Sequence, residues 1–524
     1  QEATQASFYR ILDGFEREGP ANRLVLMHGP NGSAKSTFVA CLMRGLETYS
    51  EDDEGALYRF SWIFPRSREG GGIGFSTAAD ELGSTDSFAH LPEERIIAKL
   101  QSSVREHPLL LLPRDVRQKL IADAYESADV SEAAPDWVWT GQLARKNQQI
   151  FQALLTAYRG DLERVLAHIQ VERFNVSRRY RVGAVTIGPQ MSVDASERQI
   201  TADRSIESLP ASLSALTLFE PFGELVDASG GFVEFSDLLK RPLEAWKYLL
   251  LAIENGEVSL QMSNLPINAV MVASSNELHL SAFRQHPEYN SFRGRIVRIR
   301  VGYLLDVHQE REIYDGQIIP QIPKHVAPHT TYLAALWSVL TRLRKPEEAR
   351  FSSSELGAIV ASLTPLEKAD LLADGTVPAR FDADQAKILG GAIAEVEEEG
   401  ANVSDYEGIS GASPREIRML LLDAAADHDE PCVSPVTLLN SMAEFCERDD
   451  YEFLKAERDG PYRDHRAFVD QVRERWLDLV EGELRAASGL IDEASPLSLF
   501  DQYVTHVSHS VKKERLFNPV TGQD

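Results

Sequence analysis

The chain has 524 residues, of which 43% are apolar and 26% charged, as in globular proteins of roughly three domains. Its 80 acidic and 54 basic side chains give a net charge of −26, which disfavours nucleic acid as a partner. The three cysteines are too scattered for a disulfide framework or a zinc site. No apolar run is long enough to span a membrane and no basic, apolar leader opens the chain, so we expect a cytoplasmic protein.

Strand and helix patterns alternate along the first 300 residues. Up to residue 200 the apolar periodicity predicts a buried strand at 24–28, a helix at 35–46, a strand at 56–64, a flexible loop at 67–74, helices between 93 and 168 (including 142–158 and 161–170) and a β-hairpin at 182–200. Between residues 231 and 301 the pattern predicts a strand at 231–235, a helix at 242–254, a hairpin at 256–265, a buried strand at 269–275 and a strand at 295–301. This alternation is typical of an α/β nucleotide-binding domain with a parallel sheet.

Beyond about residue 324 nearly every pattern is helical, most clearly at 332–344, 382–397, 414–427 and 434–446. We therefore predict an α/β domain over 1–325, an α-helical lid over 326–430 and an α-helical C-terminal region over 431–524. About 200 residues separate the glycine-rich turn from the acids at 234–237, which is more than a minimal core needs. A helical insertion near 93–175 is therefore implied, and we expect it to be the partner-specific element.

A phosphate-binding loop is predicted directly after the first strand. Its residues are Gly29, Pro30, Asn31, Gly32, Ser33, Ala34, Lys35, Ser36 and Thr37. Such a loop needs backbone N–H groups around the phosphates, a helix N-terminus, a lysine and a hydroxyl group for Mg²⁺. Lys35 would supply the charge and Ser36 would ligate Mg²⁺, whereas Ala34 replaces the second glycine of GxxxxGK[ST]. The sequence therefore predicts ATP and Mg²⁺ as ligands, with the extra methyl group accommodated.

ATP hydrolysis also needs acids at the end of another strand, to hold Mg²⁺ through water and orient the attacking water. The strand at 231–235 ends in this way, although the usual hhhhDE pattern is degenerate: Ser236 takes the Asp position and Asp237 the Glu position. We predict that Glu234 and Asp237 together hold Mg²⁺ through water and orient the attacking water. The alternative is that both are surface acids at a strand end.

Three further polar residues complete the predicted site. Asn276 follows a buried strand, where a sensor would hydrogen-bond the γ-phosphate or the water; an Asn that opens a turn is the alternative. Arg295, with Arg293 second, is predicted to be an arginine finger for a neighbouring subunit's ATP; either could instead form a surface ion pair. Arg415, in the first turn of a lid helix, is predicted to reach back to the phosphates.

Several dispersed stretches together resemble the PrkA family of bacterial serine protein kinases over essentially the whole chain. These stretches are 58–65, 178–186, 218–221, 234–242, 274–277, 411–416, 506–509 and 518–522. The resemblance implies an AAA+ module that binds ATP, a C-terminal part that has been called kinase-like, and a role in stress or sporulation. It also implies a hairpin, here 256–265, that faces the pore of a ring, and hence a homo-oligomer such as a hexameric ring.

The kinase name is not matched by ordinary kinase motifs. We find no HRD-type catalytic loop or DFG metal site; Asp464-His465-Arg466 lacks the asparagine at the required distance. Some members of the family have been proposed to be ATP-dependent proteases, but no pattern for a serine–lysine dyad stands out. Three interpretations remain: an AAA+ ATPase that acts on a protein partner, a serine/threonine protein kinase, and a nucleotide-gated scaffold without turnover.

Overall fold

The computed structural model describes residues 2–18, 23–66, 87–130, 134–189, 194–200, 213, 216–399, 406–426, 430–448, 450–488 and 494–512. The chain divides into two compact units, an N-terminal unit over residues 1–301 and a C-terminal unit over residues 302–524. The predicted loop at 67–74 and the family stretch at 518–522 lie outside the described residues. The predicted boundaries at 325 and 430 stay predictions.

The N-terminal unit contains all of the strands assigned in the described residues. They are β1 (Leu24–His28), β2 (Leu57–Pro65), β3 (Ile96–Gln101), β4 (Ile169–Phe174), β5 (Ala184–Ile187), β6 (Ser196–Gln199), β7 (Phe219–Phe222), β8 (Gly231–Phe235), β9 (Glu257–Ser259), β10 (Asn264–Pro266), β11 (Ala269–Ser275) and β12 (Ile296–Arg300). A central sheet of order β12-β1-β11-β8-β5 is parallel throughout. Parallel strands are usually buried on both faces, which explains the continuous apolar runs of β1 and β11. The predicted α/β class is confirmed.

The helices of the same unit lie before, between and after these strands. They are α1 (Glu2–Glu18), α2 (Lys35–Glu51), α3 (Arg114–Ser127), α4 (Asp136–Thr140), α5 (Arg145–Ala157), α6 (Leu162–Leu166), α7 (Glu224–Asp227), α8 (Leu243–Trp246), α9 (Leu249–Asn255), α10 (Glu277–Arg284) and α11 (Tyr289–Arg293). The helix predicted at 242–254 is therefore two short helices. The helix predicted at 35–46 is confirmed and runs on to Glu51.

The two faces of the central sheet pack on different helices. One face contributes Val25, Met27 and Phe232 to a buried cluster with Val39 and Met43 of α2. The opposite face contributes alternate residues of the same strands to a second cluster, with the side chains of α8 and α9. Successive residues of a strand point to opposite faces of the sheet. Alternate residues of each strand therefore pack against the same set of helices.

The region between β2 and β5 is only partly helical. Helices α3 to α6 confirm the predicted helical character, but β3 and β4 lie in the same stretch and flank β2 in an antiparallel sheet of order β3-β2-β4. Phe60, Trp62 and Phe64 of β2 are fully buried beneath the helices. The helical prediction for β3 and β4 was wrong, because cross-strand pairing with β2 overrides the local helical periodicity.

The predicted hairpin at 182–200 is also wrong, whereas the hairpin at 256–265 is confirmed as the antiparallel pair β9–β10. Within 182–200, β5 joins the central sheet in parallel with β8, and β6 pairs antiparallel with β7. The alternating pattern indicated strands correctly. Their partners lie 20 or more residues away, so local spacing could not identify them.

The C-terminal unit is helical in its described part, as predicted. Its helices are α12 (Val307–Ile313), α13 (Thr330–Arg342), α14 (Ser354–Ala361), α15 (Pro365–Asp374), α16 (Ala383–Gly391), α17 (Ile393–Glu397), α18 (Pro414–Ala426), α19 (Pro435–Phe445), α20 (His465–Ala487) and α21 (Ala494–Lys512). A π-helical turn over Tyr314–Ile318 follows α12. Helix α13 forms the centre of the unit, because Leu333, Leu336 and Trp337 are fully buried. Nowhere in the described ranges is a helix both long and apolar enough to cross a bilayer.

Candidate functional site

The predicted phosphate loop joins β1 to α2 at the carboxyl edge of the central sheet. Gly29 begins it in a position that excludes a side chain: a Cβ atom there would lie 2.0 Å from the carbonyl oxygen of Val301. Gly32 has a φ of +86°, in the region that favours glycine. The loop therefore places glycine where the backbone requires it, and it is followed directly by the N-terminus of a 17-residue helix.

Ala34 adopts the conformation that the missing glycine would have taken. Its φ and ψ are 66° and 16°, in the left-handed region, and it stands immediately before the first residue of α2. This conformation costs an L-residue about 1–2 kcal/mol. The Ala34 backbone is therefore locally strained, and whether its methyl group is accommodated beside phosphate stays a prediction.

The Lys35 side chain is folded back onto its own loop. Its Nζ atom donates to the carbonyl oxygens of Gly29 (2.8 Å) and Pro30 (2.7 Å) and lies 3.4 Å from Ser33 Oγ. Lys35 is buried, whereas Ser36 and the residue after it are exposed at the start of α2. The ammonium group thus stands at the loop where phosphate oxygens could replace these carbonyl acceptors.

Glu234 lies on the face of the sheet that α2 covers. Phe232, two residues earlier, packs with the α2 cluster, and alternation along β8 places Glu234 on the same face. Its Oε2 accepts a hydrogen bond from Thr186 Oγ1 at 2.8 Å, whereas Oε1 is buried without a hydrogen-bond partner in the described structure. Burial raises the pKa of Glu234, and the charge of Asp237 adds to the rise, while Thr186 and Arg178 oppose it. A buried acceptor without a partner suits a water molecule or a cation's water shell.

Asp237 occupies the turn after β8, three residues beyond Glu234. Its φ of 49° is left-handed, its backbone N–H donates to Ser274 Oγ (3.0 Å), and its carboxylate pairs with Lys240 at 2.7 Å. Asp237 therefore already has a cationic partner. Of the two predicted acids, Glu234 has the arrangement better suited to an incoming ligand.

Asn276 is the N-cap of α10, directly after β11. Its Oδ1 accepts from the backbone N–H of His279 at 2.9 Å. The cap fixes the side chain and engages its oxygen, so the amide nitrogen is the group that Asn276 can still use as a side-chain donor. A donor fits the predicted sensor role. The alternative interpretation, an Asn that opens a turn, also agrees with the observed cap.

The predicted arginines are held differently. Arg295 donates to Ser291 O (2.7 Å) and pairs with Glu254 at 2.7 Å, so the surface ion pair that the sequence left open is present. Arg293 is exposed at the end of α11. Arg415 is exposed in the first turn of α18, in the C-terminal unit. A finger role for Arg295 stays a prediction, and it requires the ion pair with Glu254 to open.

The structure adds three partners to the predicted site. Thr186 binds Glu234 from the neighbouring strand, Arg178 lies near enough to influence its charge, and His28 contacts Glu277 with Nδ1 and Oε1 2.5 Å apart. Each depends on strand pairing that sequence spacing does not show. The signals in the sequence were the family stretches 178–186 and 274–277, which contain Arg178, Thr186 and Glu277, and the adjacency of His28 to Gly29.

The residues present fit a magnesium–nucleotide complex. Ser36 presents an exposed hydroxyl group at the start of α2, and Glu234 presents a buried carboxylate on the face that α2 covers. Mg²⁺ is usually held by one or two oxygen side chains together with water and phosphate oxygens. Ser36 directly, and Glu234 through water, would be the protein's contribution.

Two domain families match the chain. Residues 76–350 match the PrkA AAA domain, and residues 366–524 match the PrkA serine protein kinase C-terminal domain. The phosphate loop precedes the first matched residue, so its assignment depends on its own sequence and geometry.

Curated relatives are distant in sequence. The chain is 25% identical over 507 residues to the ATP-dependent protease PrkA of Bacillus subtilis (strain 168), which covers 96% of this chain and 67% of that protein. It is 24% identical over 307 residues to the serine/threonine kinase YeaG of Escherichia coli (strain K12), covering 57% of this chain and 43% of that protein. Among solved structures, NtrX from Brucella abortus in complex with ADP has 14% identity over 63% of this chain and 71% of its own, with a TM-score of 0.21, too low to support an argument.

Proposed function

Because the chain belongs to the PrkA family, we propose that it hydrolyses ATP and uses the hydrolysis to change the conformation of a protein partner. One observation carries the proposal: Lys35 ends a glycine loop over the sheet edge, and the buried Glu234 lies on the sheet face covered by the helix that Lys35 begins. A positive phosphate cradle and a carboxylate without a full set of partners are what ATP hydrolysis needs. The family resemblance alone supports a role in stress or sporulation.

Some residues of the proposed site would bind the nucleotide, and others would act in its hydrolysis. The N–H groups at the start of α2 and the Lys35 ammonium group would bind the phosphates. Mg²⁺, when bound, supplies charge neutralisation of the phosphate oxygens. Glu234 would orient and deprotonate the attacking water, a role favoured by its raised pKa, and the Asn276 amide would donate to the γ-phosphate or that water.

Assembly into a homo-oligomer is part of the proposal. It is supported by the family resemblance and by the position of Arg295 beyond the sensor strand, 32% exposed at the surface of the N-terminal unit. A finger supplied by a neighbour would leave an isolated subunit without its charge stabiliser. A hexameric ring is one form that such an assembly could take.

Protein phosphorylation is the second candidate, favoured by the match of residues 366–524 to a domain named for a serine protein kinase. The described part of the C-terminal unit has no strand, whereas an ordinary kinase carries its ATP-binding lysine on one. Phosphoryl transfer to serine would therefore draw its ATP from the N-terminal unit or from a site unlike that of an ordinary kinase.

Proteolysis, named in one relative, gains no support from the serine–lysine contacts. Lys146 Nζ lies 2.9 Å from Ser103 Oγ but also binds Glu220 (3.0 Å) and the carbonyl oxygen of Gln101 (2.7 Å). Burial opposes ionisation of Glu220, yet Lys146 and its other donors lower the pKa of Glu220 to about 2. Lys146 Nζ is thus engaged as a hydrogen-bond donor by a carboxylate and a carbonyl group, which is not the arrangement of a general base for the serine.

Incubation of the purified chain with γ-labelled ATP and a candidate protein substrate tests these alternatives. Free labelled phosphate, lost in Glu234→Gln but retained in the matched exposed variant Glu288→Gln, is the expected result. Labelled phosphoserine with little free phosphate would establish the kinase instead. Nucleotide binding without either product would show a scaffold and would overturn the proposal.

A further inference from the structure

The carboxyl ends of three neighbouring strands are tied together by side chains. On one side of β11, the backbone N–H of Asp237, after β8, donates to Ser274 Oγ at 3.0 Å. On the other side, His28 at the end of β1 contacts Glu277, with Nδ1 and Oε1 2.5 Å apart. The end of β11 is therefore connected both to the strand of the acids and to the strand of the phosphate loop.

His28 is buried and hydrogen-bonded at the point where β1 leads into the phosphate loop. It is 8% exposed, its carbonyl oxygen accepts from Val301 N at 2.8 Å, and Gly29 follows it directly. The carbonyl oxygen of Gly29 is one of the acceptors of Lys35. The residue whose ring contacts Glu277 is therefore adjacent in the chain to an acceptor of the Lys35 ammonium group.

Glu277 stands on the other side of the contact, as the first residue of α10. Its side chain is 16% exposed, and it follows the capping residue Asn276 directly. A carboxylate in the first turn of a helix is favoured by the helix dipole. The pair therefore holds the N-terminus of α10, and with it the Asn276 amide, against the end of β1. Arg300, a further charged residue at this edge, is the register partner of His28 on β12.

We propose that His28 and Glu277 form a positioning pair for ATP hydrolysis, which keeps the Asn276 amide aligned with the phosphate loop; this rests on the proposed function. Nucleotide binding depends on Lys35 and the N–H groups of α2, and it does not need the pair. Turnover does, because misplacement of a reacting group by about 1 Å can cost roughly a hundredfold in rate. The effect should therefore fall on kcat and leave KM unchanged.

Alanine substitution of Glu277 tests the pair directly, with Glu288→Ala as the matched control. Glu288 belongs to the same unit and forms an exposed ion pair with Lys247 (2.8 Å). We expect Glu277→Ala to lower kcat by about ten- to a hundredfold with unchanged KM, Glu277→Gln to restore part of the rate, and the control to match the wild type. A raised KM with normal kcat, or an equal loss in the control, would overturn the proposal.

A double-mutant cycle shows whether the two residues act together. If His28 works through Glu277, then His28→Gln combined with Glu277→Ala should be no slower than Glu277→Ala alone. Losses that multiply would mean that the residues act independently, which contradicts a positioning pair.

Hydrogen exchange in the presence of the non-hydrolysable analogue AMP-PNP tests, without ATP turnover, whether the pair couples the phosphate loop to α10. In the wild type we expect the analogue to protect both residues 29–37 and residues 275–284. In Glu277→Ala we expect protection of 29–37 alone, which also shows that the variant is folded and binds. Equal protection of both segments in the variant would refute the pair. A wild type that hydrolyses no ATP would instead refute the proposed function, and the exchange result would still stand.

Discussion

The hydroxyl group of Thr186 donates to the carboxylate of Glu234 across two neighbouring parallel strands, with Oγ1 and Oε2 2.8 Å apart. The two residues are register partners, 48 positions apart in the chain. Burial raises the pKa of this carboxyl group, and its second oxygen is buried without a hydrogen-bond partner in the part of the chain that the structure describes. Glu234 is thereby held in one orientation and left able to accept one more donor.

The first prediction separates the two acids. Glu234→Gln should leave ATP binding intact and lower kcat by about a hundredfold or more, because a general base acts in the transition state. Asp237→Asn should have a smaller effect, since the Asp237 carboxylate is already paired with Lys240. Steady-state phosphate release, with binding measured by calorimetry, checks both variants. A larger loss in Asp237→Asn would reassign the acid.

The second prediction concerns Lys35. Lys35→Ala should weaken ATP binding by about 1.5–3 kcal/mol, or roughly ten- to a hundredfold in Kd, because it removes a charged donor to the phosphates. Lys247→Ala, which removes an exposed lysine of the same unit, serves as the control. Calorimetric titration with ATP gives both affinities, and equal affinity in Lys35→Ala and the wild type would remove the phosphate-loop assignment.

A third prediction follows from the left-handed conformation of Ala34. Ala34→Gly should stabilise the nucleotide-free protein by up to about 1 kcal/mol, since glycine adopts a φ of 66° without strain although it has more freedom when unfolded. Ala34→Val should destabilise it by more, because a β-branched residue is worse in this region. Thermal unfolding midpoints in the absence of nucleotide should rank Gly above Ala above Val, and any other order would contradict the assigned conformation.

A fourth prediction tests assembly through Arg295. If its guanidinium group leaves Glu254 to serve a neighbour's ATP, activity per subunit should rise with protein concentration. Arg295→Ala should lower the rate by roughly a thousandfold. Mixing Arg295→Ala with Lys35→Ala should restore some turnover, because one intact loop then meets one intact finger. Full activity in a dilute monomer, or an inactive mixture despite demonstrated co-assembly, would leave Arg295 as the ion-pair partner of Glu254 alone.

The fifth prediction is a pH dependence of local stability around His168. The ring donates from Nδ1 to Ile63 O (2.7 Å) and accepts from the Tyr158 hydroxyl group at Nε2 (2.8 Å), and burial lowers the pKa of His168 to about 4. The unfolded ring titrates near pH 6.5, so stability is complete above that pH and is lost as the pH falls towards 4. The loss should reach roughly 3 kcal/mol.

Hydrogen exchange of β2 and β4 at pH 7.5 and pH 5 measures about 2 kcal/mol of this loss, because the remainder appears only as the pH falls further towards 4. The protection of these strands should fall more in the wild type than in His168→Gln, which cannot take up the proton. His90→Gln, which changes an exposed histidine of the same region, should behave as the wild type does. Identical pH dependence in all three proteins would show that His168 does not carry the effect.

Most of the strands of the central sheet, and the glycine-rich turn between β1 and α2, could be predicted from the chain alone. β1 and β11 are continuous apolar runs, and the turn after β1 carries glycine and lysine at fixed spacing. These signals are local: a run of neighbouring residues has to be buried, or a turn has to approach phosphate. Asn276 was placed for the same reason, because it directly follows such a run.

The sequence by itself thus determined the fold class, the position of the glycine-rich turn between β1 and α2, and the residues that can carry charge beside that turn. Only the tertiary structure decided that Thr186 supports Glu234, that Glu254 holds Arg295, and that β3 and β4 pair with β2. The physical reason is that strand pairing and ion pairs join residues that are distant in the chain, and their register depends on how whole strands align. Local periodicity does not depend on that alignment and so cannot predict it. In the folded sheet, Nδ1 of His28 lies 2.5 Å from Oε1 of Glu277, although the two residues are 249 positions apart.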